Sequence, residues 1–329
     1  MEERVLVTGA LGCIGSWVVH LLRQRGLGIV ATDLGDDRQR WRLLDPSLEE
    51  AVPLHHCDVT DVEGLSRLIA EQGATRLIHL AALQVPFARA RPLLGARVNV
   101  EGTTSVLEAA RRNQDQVRGT VFASSVAVYG PADRYPPGPL AHDAPPAPAT
   151  LYGAHKLCDE WLARVYAADW GVRSIGLRPL TVYGPGRDQG VTSSPTMGML
   201  AAAAGRPYHI AWGGESGYAY TRDVAAAFIA AALAADDGGP AETYNLPVDT
   251  ANMAEVVDLI QAAAPGAQVD AASEGLPFAV AVDPSALVAR LGPLPRTPLR
   301  EGIAATIETF RTAIAAGRLD PAPILSPRT

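Results

Sequence analysis

One short segment constrains this chain more than any other: Thr8-Gly9-Ala-Leu-Gly12-Cys13-Ile14-Gly15. It follows an apolar run, Arg4-Val-Leu-Val-Thr8, that reads as a strand. It opens an amphipathic stretch, Cys13 to Arg25, that reads as a helix ending near Gly26. Each glycine has its own reason to be there. Gly9 permits the tight turn, Gly12 lets the backbone approach a pyrophosphate, and Gly15 lets the helix pack close to the sheet. The helix start, at Cys13 and Ile14, then offers unpaired N–H groups and positive potential to phosphates. Three glycines alone carry little weight; set between a strand and a helix they form a dinucleotide-binding signature.

The rest of the first half repeats that unit. Strands are predicted at Ile29–Thr32, Val52–Cys57, Arg76–Leu80, Arg118–Ala123 and Arg173–Leu177, with helices such as Val62–Glu71 and Gly102–Arg112 between them. Repeated strand–helix units of this length imply an α/β fold: a Rossmann-type, doubly wound parallel sheet that binds ligands at the carboxyl ends of its strands. In the second half, helices are predicted at 196–204, 221–235, 252–263, 284–290 and 299–316, forming a smaller, mostly helical C-terminal substrate lobe. The expected division is residues 1–178 with 219–248 for the cofactor and 179–218 with 249–329 for the substrate. Seven prolines make 131–150 a loop, equally readable as a substrate flap or a surface connection.

Asp33 ends the second strand. A carboxylate there can accept both ribose hydroxyls of an adenosine and would repel a 2′-phosphate, so NAD is expected over NADP. Arg38 and Arg40 nearby read as solvated charges. Farther on, Ser125 closes the fifth strand, and Tyr152 and Lys156 stand four apart on one helix face. A phenol is a poor base at neutral pH, and a neighbouring ammonium stabilises its phenolate. Tyr152 can then exchange a proton with a carbinol oxygen, Ser125 can hold that oxygen, and Lys156 can hold the cofactor ribose.

With these motifs in this order, the chain resembles the extended short-chain dehydrogenase/reductases, the NAD-dependent epimerase/dehydratase family, over nearly its whole length. The resemblance implies that Asp58 and Val59 meet adenine. It places Leu80, Ala81 and Ala82, after His79, under the cofactor. It also places Asn99 near the strand ends and Pro179 near the nicotinamide. It makes Gln84, Ser124, Ser125, Thr181, Arg187 and Arg222 the candidate substrate residues. A homodimer is implied, paired through the Gly102–Arg112 and Tyr152–Ala168 helices.

Departures from the family pattern bear on the reaction. Val126 and Ala127 stand where the family's dehydratases carry an Asp-Glu pair, so elimination of water is disfavoured. Ser216 stands where nucleotide-sugar enzymes place an arginine for the diphosphate, and Gly275-Leu-Pro-Phe278 covers the place of a second. The leading expectation is therefore NAD-dependent oxidation of a secondary alcohol on a small polyol-type substrate: a sugar, sugar acid or hydroxy acid. The alternative is a nucleotide-sugar 4-epimerase. A non-catalytic NAD-binding protein is a third reading, disfavoured because Tyr152 and Lys156 are both kept.

The bulk properties agree. A net charge of -7 without a long basic run speaks against a nucleic-acid partner. The apolar run from Ala225 to Ala235 falls short of the roughly 20 residues that cross a bilayer. The N-terminus shows no leader pattern. Three scattered cysteines and seven histidines show no metal-ligand spacing, so no metal is expected. A cytoplasmic enzyme follows.

Overall fold

The computed structural model describes residues 3–236, 239, 241–276, 278 and 280–325. Pro277, in the segment at the place of the second diphosphate arginine, and both ends of the expected two-lobe division lie outside them. In chain order the strands are β1 (Arg4–Thr8), β2 (Gly28–Asp33), β3 (Leu54–His56), β4 (Arg76–His79), β5 (Gly119–Ala123), β6 (Ser174–Arg178), β7 (Thr181–Tyr183), β8 (Tyr208–Ile210), β9 (Glu215–Tyr220), β10 (Ala241–Asn245), β11 (Asp249–Asn252) and β12 (Val269–Ala271).

Seven of these form one sheet in the order β10-β6-β5-β4-β1-β2-β3, with every neighbouring pair parallel. Alternation along each strand sorts its side chains between two faces. On β1, Val5 and Val7 join the core beneath the Cys13–Gln24 and Thr221–Ala234 helices. Leu6 joins a second core with the Val62–Gln72, Gly102–Arg112 and Leu151–Trp170 helices. Helices cover both faces, as a doubly wound sheet requires.

A third apolar cluster lies beyond the strand ends. It joins Met197, Met199 and Leu200 to Trp212, Tyr218, Met253, Ile260, Ile303, Ile307 and Phe310. This smaller lobe is mostly helical, and it also holds a three-stranded sheet, β11-β9-β7, and a pair, β12-β8. The predicted third strand shortens to β3 because Val52 ends a helical turn, Leu48–Ala51, and Pro53 has no N–H to give a ladder. Two short helices, Val85–Ala90 and Pro92–Ala96, appear where prolines suggest breaks. Pro86 and Pro92 sit in their first turns, where a missing N–H costs nothing.

Candidate active site

The cofactor loop is fixed by contacts no larger residue would allow. Gly9 has φ +66°, and a Cβ there would lie 2.7 Å from the Ala81 nitrogen. A Cβ on Gly15 would lie 2.1 Å from the Gly9 carbonyl oxygen. The loop therefore presses against the segment after β4. That segment is pinned in turn: the Leu80 and Ala81 N–H groups donate to Thr8 Oγ1, which meets His79 Nδ1 at 2.8 Å. His79 Nε2 meets Thr103 Oγ1 at 3.2 Å. Burial, helped by the Lys156 charge, pushes the buried His79 down to about 3, so the ring is neutral.

Asp33 lies on the rim of the same groove. Its Oδ2 accepts the Leu11 N–H at 3.0 Å, and Oδ1 accepts the N–H groups of Leu34 and Gly35. Gly9, Gly12, Cys13, Asp33, Asp58, Val59, Leu80, Ala81 and Ala82 all line this groove, whose volume is about 680 Å³ and within the range of cofactor sites. Ile14, Gly15 and Pro179 line the adjoining cavity toward the small lobe. Burial pushes the Cys13 thiol up to about 11, against the pull of Arg187 and Arg40, so it serves as a small apolar group.

Arg40 departs from the expectation of a solvated charge. It donates to the Leu11 carbonyl at 2.8 Å and the Gly186 carbonyl at 3.0 Å, and it pairs with Asp188 at 2.6 Å. Arg38 donates to the Glu49 carbonyl and stacks over Trp41. Both arginines beside Asp33 are thus committed within the fold, which favours a ribose bearing free hydroxyls.

The chemical end forms where the Leu151–Trp170 helix starts. Thr150 caps it by accepting the Gly153 N–H at 3.0 Å. A Cβ on Gly153 would lie 2.1 Å from the Ala127 carbonyl oxygen, so only glycine lets this helix reach the turn that follows Ser125. Ser125 and Tyr152 consequently line one cavity. Lys156 is buried beneath them, Nζ 5.9 Å from the Tyr152 ring centre. Gln84, Ser124, Thr181 and Arg187 line the same cavity, as do Thr192, Glu215, Ser216 and the apolar Leu180, Val191, Leu276 and Phe278.

Two of the candidate site residues, Asn99 and Arg222, do not line the groove or the cavity. Asn99 sits in a π-helical turn, Arg97–Glu101, with its amide spent on both backbone groups of Leu83 at 2.7 and 2.9 Å. It shapes the loop beside the groove, and its amide nitrogen also meets His155 Nδ1 at 3.3 Å. Arg222 is exposed at the first turn of the Thr221–Ala234 helix and does not line the cavity. It lies toward His20, whose pKa burial lowers first and Arg222 lowers further.

The small-lobe residues Thr192, Glu215, Leu276 and Phe278 carried no motif and were not legible. One signal was: of the 28 lysine and arginine residues, Lys156 alone is lysine. In a chain that otherwise uses arginine, a lysine held at this position marks a role that a planar guanidinium does not fill.

The glycine cradle, the Asp33 carboxylate and the continuous groove fit NAD. The chain matches the model of the NAD dependent epimerase/dehydratase family over residues 5–246. It is 32% identical to a UDP-glucose 4-epimerase of Mycolicibacterium smegmatis over 323 residues, 94% of this chain and 98% of that protein. It is 35% identical to a UDP-glucose 4-epimerase of Azospirillum brasilense over 186 residues, 56% of this chain but only 50% of that protein. Among solved structures, the Thermus thermophilus UDP-glucose 4-epimerase in complex with NAD superposes with a TM-score of 0.80 at 31% identity, covering 94% of this chain and all of that one. The chain belongs to the NAD dependent epimerase/dehydratase family, and NAD is its cofactor.

Proposed function

We propose that this chain is a nucleotide-sugar 4-epimerase. The observation that carries this reading is the common cavity of Ser125 and Tyr152 over a buried Lys156, in a chain whose full-length relatives include 4-epimerases. Tyr152 takes the proton of the sugar hydroxyl, Ser125 donates a hydrogen bond to the same oxygen, and Lys156 holds a positive charge under both. Bound NAD supplies the acceptor, and later the donor, of the hydride. Between the two half-reactions the keto sugar turns over, so that the hydride returns to the opposite face of its carbonyl carbon while Tyr152 gives the proton back to the carbonyl oxygen. Gly9, Gly12, Cys13, Ile14, Gly15, Asp33, Asp58, Val59, Leu80, Ala81, Ala82 and Pro179 hold the cofactor. Gln84, Ser124, Thr181 and Arg187 face the sugar.

One observation favours a second reading, net oxidation of a free sugar or sugar acid. Ser216, at the position of the expected diphosphate arginine, lines the cavity and bonds Thr181 Oγ1 at 2.8 Å. Arg187 is the cation among the cavity-lining residues, and its buried Nε has no hydrogen-bond partner, so a substrate carboxylate would find it available.

The proposal keeps the division into 1–178 with 219–248 and 179–218 with 249–329, supported by the separate apolar cluster of the small lobe. It also keeps a cytoplasmic homodimer. Exposed Leu93, Trp161 and Val165 on and beside the paired helices support the dimer, and no described helix is long and apolar enough to cross a membrane.

The test incubates the purified protein with UDP-sugars, free sugars and sugar acids, following 4-epimer formation and NADH absorbance together. The expected result is conversion of a UDP-sugar to its 4-epimer without net NADH, reduced about 100- to 10,000-fold in Tyr152→Phe. Stoichiometric NADH from a free sugar or acid, with no epimer, would replace this reading with the second.

A further inference from the structure

The floor beneath Tyr152 holds a residue that the reaction so far leaves unused. The Leu151–Trp170 helix turns two successive carboxylates inward, Asp159 and Glu160, both essentially unexposed. Glu160 is fully answered: Arg178 donates to its two oxygens at 2.7 and 2.6 Å, and Ser124 donates to one of them. Asp159 has a sparser setting. Its Oδ2 accepts from Lys156 Nζ at 3.0 Å, while Oδ1 is buried without a hydrogen-bond partner. The nearby Thr103 hydroxyl gives its proton to the Asn99 carbonyl at 2.7 Å.

We infer that Asp159 is a positioning residue for this site, a buried counter-ion that anchors Lys156 Nζ beneath Tyr152 and keeps it an ammonium. The inference rests on the Tyr152–Lys156 chemistry, which the epimerase and dehydrogenase readings share.

The surroundings leave Asp159 that role. A buried lysine with no counter-charge tends to lose its proton. Burial does pull Lys156 down, but Asp159, followed by Tyr152 and Glu160, pulls it up further, and the ammonium form wins. The Glu160 charge is offset by Arg178, which packs against it from β6. His79, facing from β4, is neutral, and burial and the Lys156 charge hold His155, on the same helix, below its ordinary value. Thr103, from the Gly102–Arg112 helix, carries no charge. Asp159 pays for its burial: desolvation pushes it up to about 6 in spite of Lys156. A carboxylate kept buried at that cost, one helical turn from the reactive lysine, is explained by what it does for the lysine.

The single lysine makes the test direct. The full-length protein carrying carbon-13 lysine has one lysine side-chain signal, and its titration is that of Lys156, with no substrate needed. In the wild type the signal is expected to remain that of an ammonium at about pH 9.5, near the ordinary lysine range. In Asp159→Asn the midpoint is expected to fall by about one unit or more. The alkaline limb of turnover should move with it, so that activity at about pH 9.5 drops about twofold relative to pH 7 for a one-unit fall, and further for a larger one. Asp159→Glu, which keeps the charge, should restore most of the midpoint. A folded Asp159→Asn whose lysine titrates as in the wild type overturns the inference. So does a wild-type signal already that of a neutral amine at about pH 9.5, a result that holds even if neither variant folds. Absence of UDP-sugar turnover would sink the epimerase reading and leave the lysine signal readable.

Discussion

The cofactor groove and the substrate cavity share one wall but are built in different ways. On the cofactor side, the decisive contacts are backbone to backbone: Gly9 against Ala81, and Gly15 against the Gly9 carbonyl. Asp33 is held by three N–H groups of its own loop and its neighbour. On the substrate side, side chains arrive from separate segments. Thr192 follows Gly190, Glu215 and Ser216 come from the start of β9, and Leu276 and Phe278 come from the chain after β12. A ligand held by backbone geometry demands particular residues at a particular spacing. A ligand held by side chains on loops can be changed one residue at a time without disturbing the sheet. One fold can thus keep its cofactor and alter what it acts on.

This difference is broken most sharply at Gly15. An added Cβ would meet a backbone oxygen at 2.1 Å, which cannot swing aside as a side chain could. Gly15→Ala should weaken NAD binding about 10- to 100-fold, the equivalent of a 1–3 kcal/mol packing strain, with the small lobe's core unaffected. Calorimetric titration with NAD reads the loss. Unchanged affinity would mean that the loop is softer than its contacts indicate.

A second test addresses the polar network under the loop. His79 is neutral in the fold, pushed down to about 3 from its ordinary 6.5. A group with a depressed folded value supports stability above its ordinary pKa and loses that support as pH falls toward its folded pKa. The window is therefore pH 6.5 down to about 3. At pH 5 the loss comes to about 2 kcal/mol. Asp159, pushed up to about 6, works in the opposite sense and flattens the wild-type curve. The effect is isolated by comparing His79→Asn with the wild type. Between pH 7 and 5 the variant should lose about 2 kcal/mol less stability in urea unfolding. Parallel pH curves would show that His79 accepts a proton without strain.

What could be read in advance follows the same division. The strand–glycine–helix opening, Asp33, and the Ser125, Tyr152 and Lys156 set were legible because each is fixed by a local geometry that few residues satisfy. The parallel sheet was legible from repeated units, but the place of β10 beside β6 was not, because strand order is decided by packing between distant segments. Asn99 sits in a π-helical turn that regular helical spacing does not foretell. Arg222 takes the exposed side of its helix because its neighbours Tyr220 and Thr221 are buried, a choice of face that its motif alone does not reveal. The paired strands of the small lobe are three to six residues long, too short for alternation to separate them from loop.

The smallest expected effect bears on the substrate. Ser216 is buried at the cavity wall with its hydroxyl against Thr181, at the position that the family resemblance aligns with a diphosphate-binding arginine. If the substrate is a nucleotide sugar, its diphosphate passes this wall without a charged partner, and Ser216→Arg offers one. A hydrogen bond to a charged group contributes about 1.5–3 kcal/mol, offset here by the side-chain entropy an arginine gives up and by the bond Thr181 loses. The expected net is a KM for the UDP-sugar lower by up to about tenfold, with kcat little changed. If the substrate is a free sugar or sugar acid, the guanidinium takes up cavity space and meets no diphosphate, and KM rises. Steady-state kinetics of this one variant therefore asks what the cofactor side cannot reveal: whether the far end of the cavity receives a phosphate.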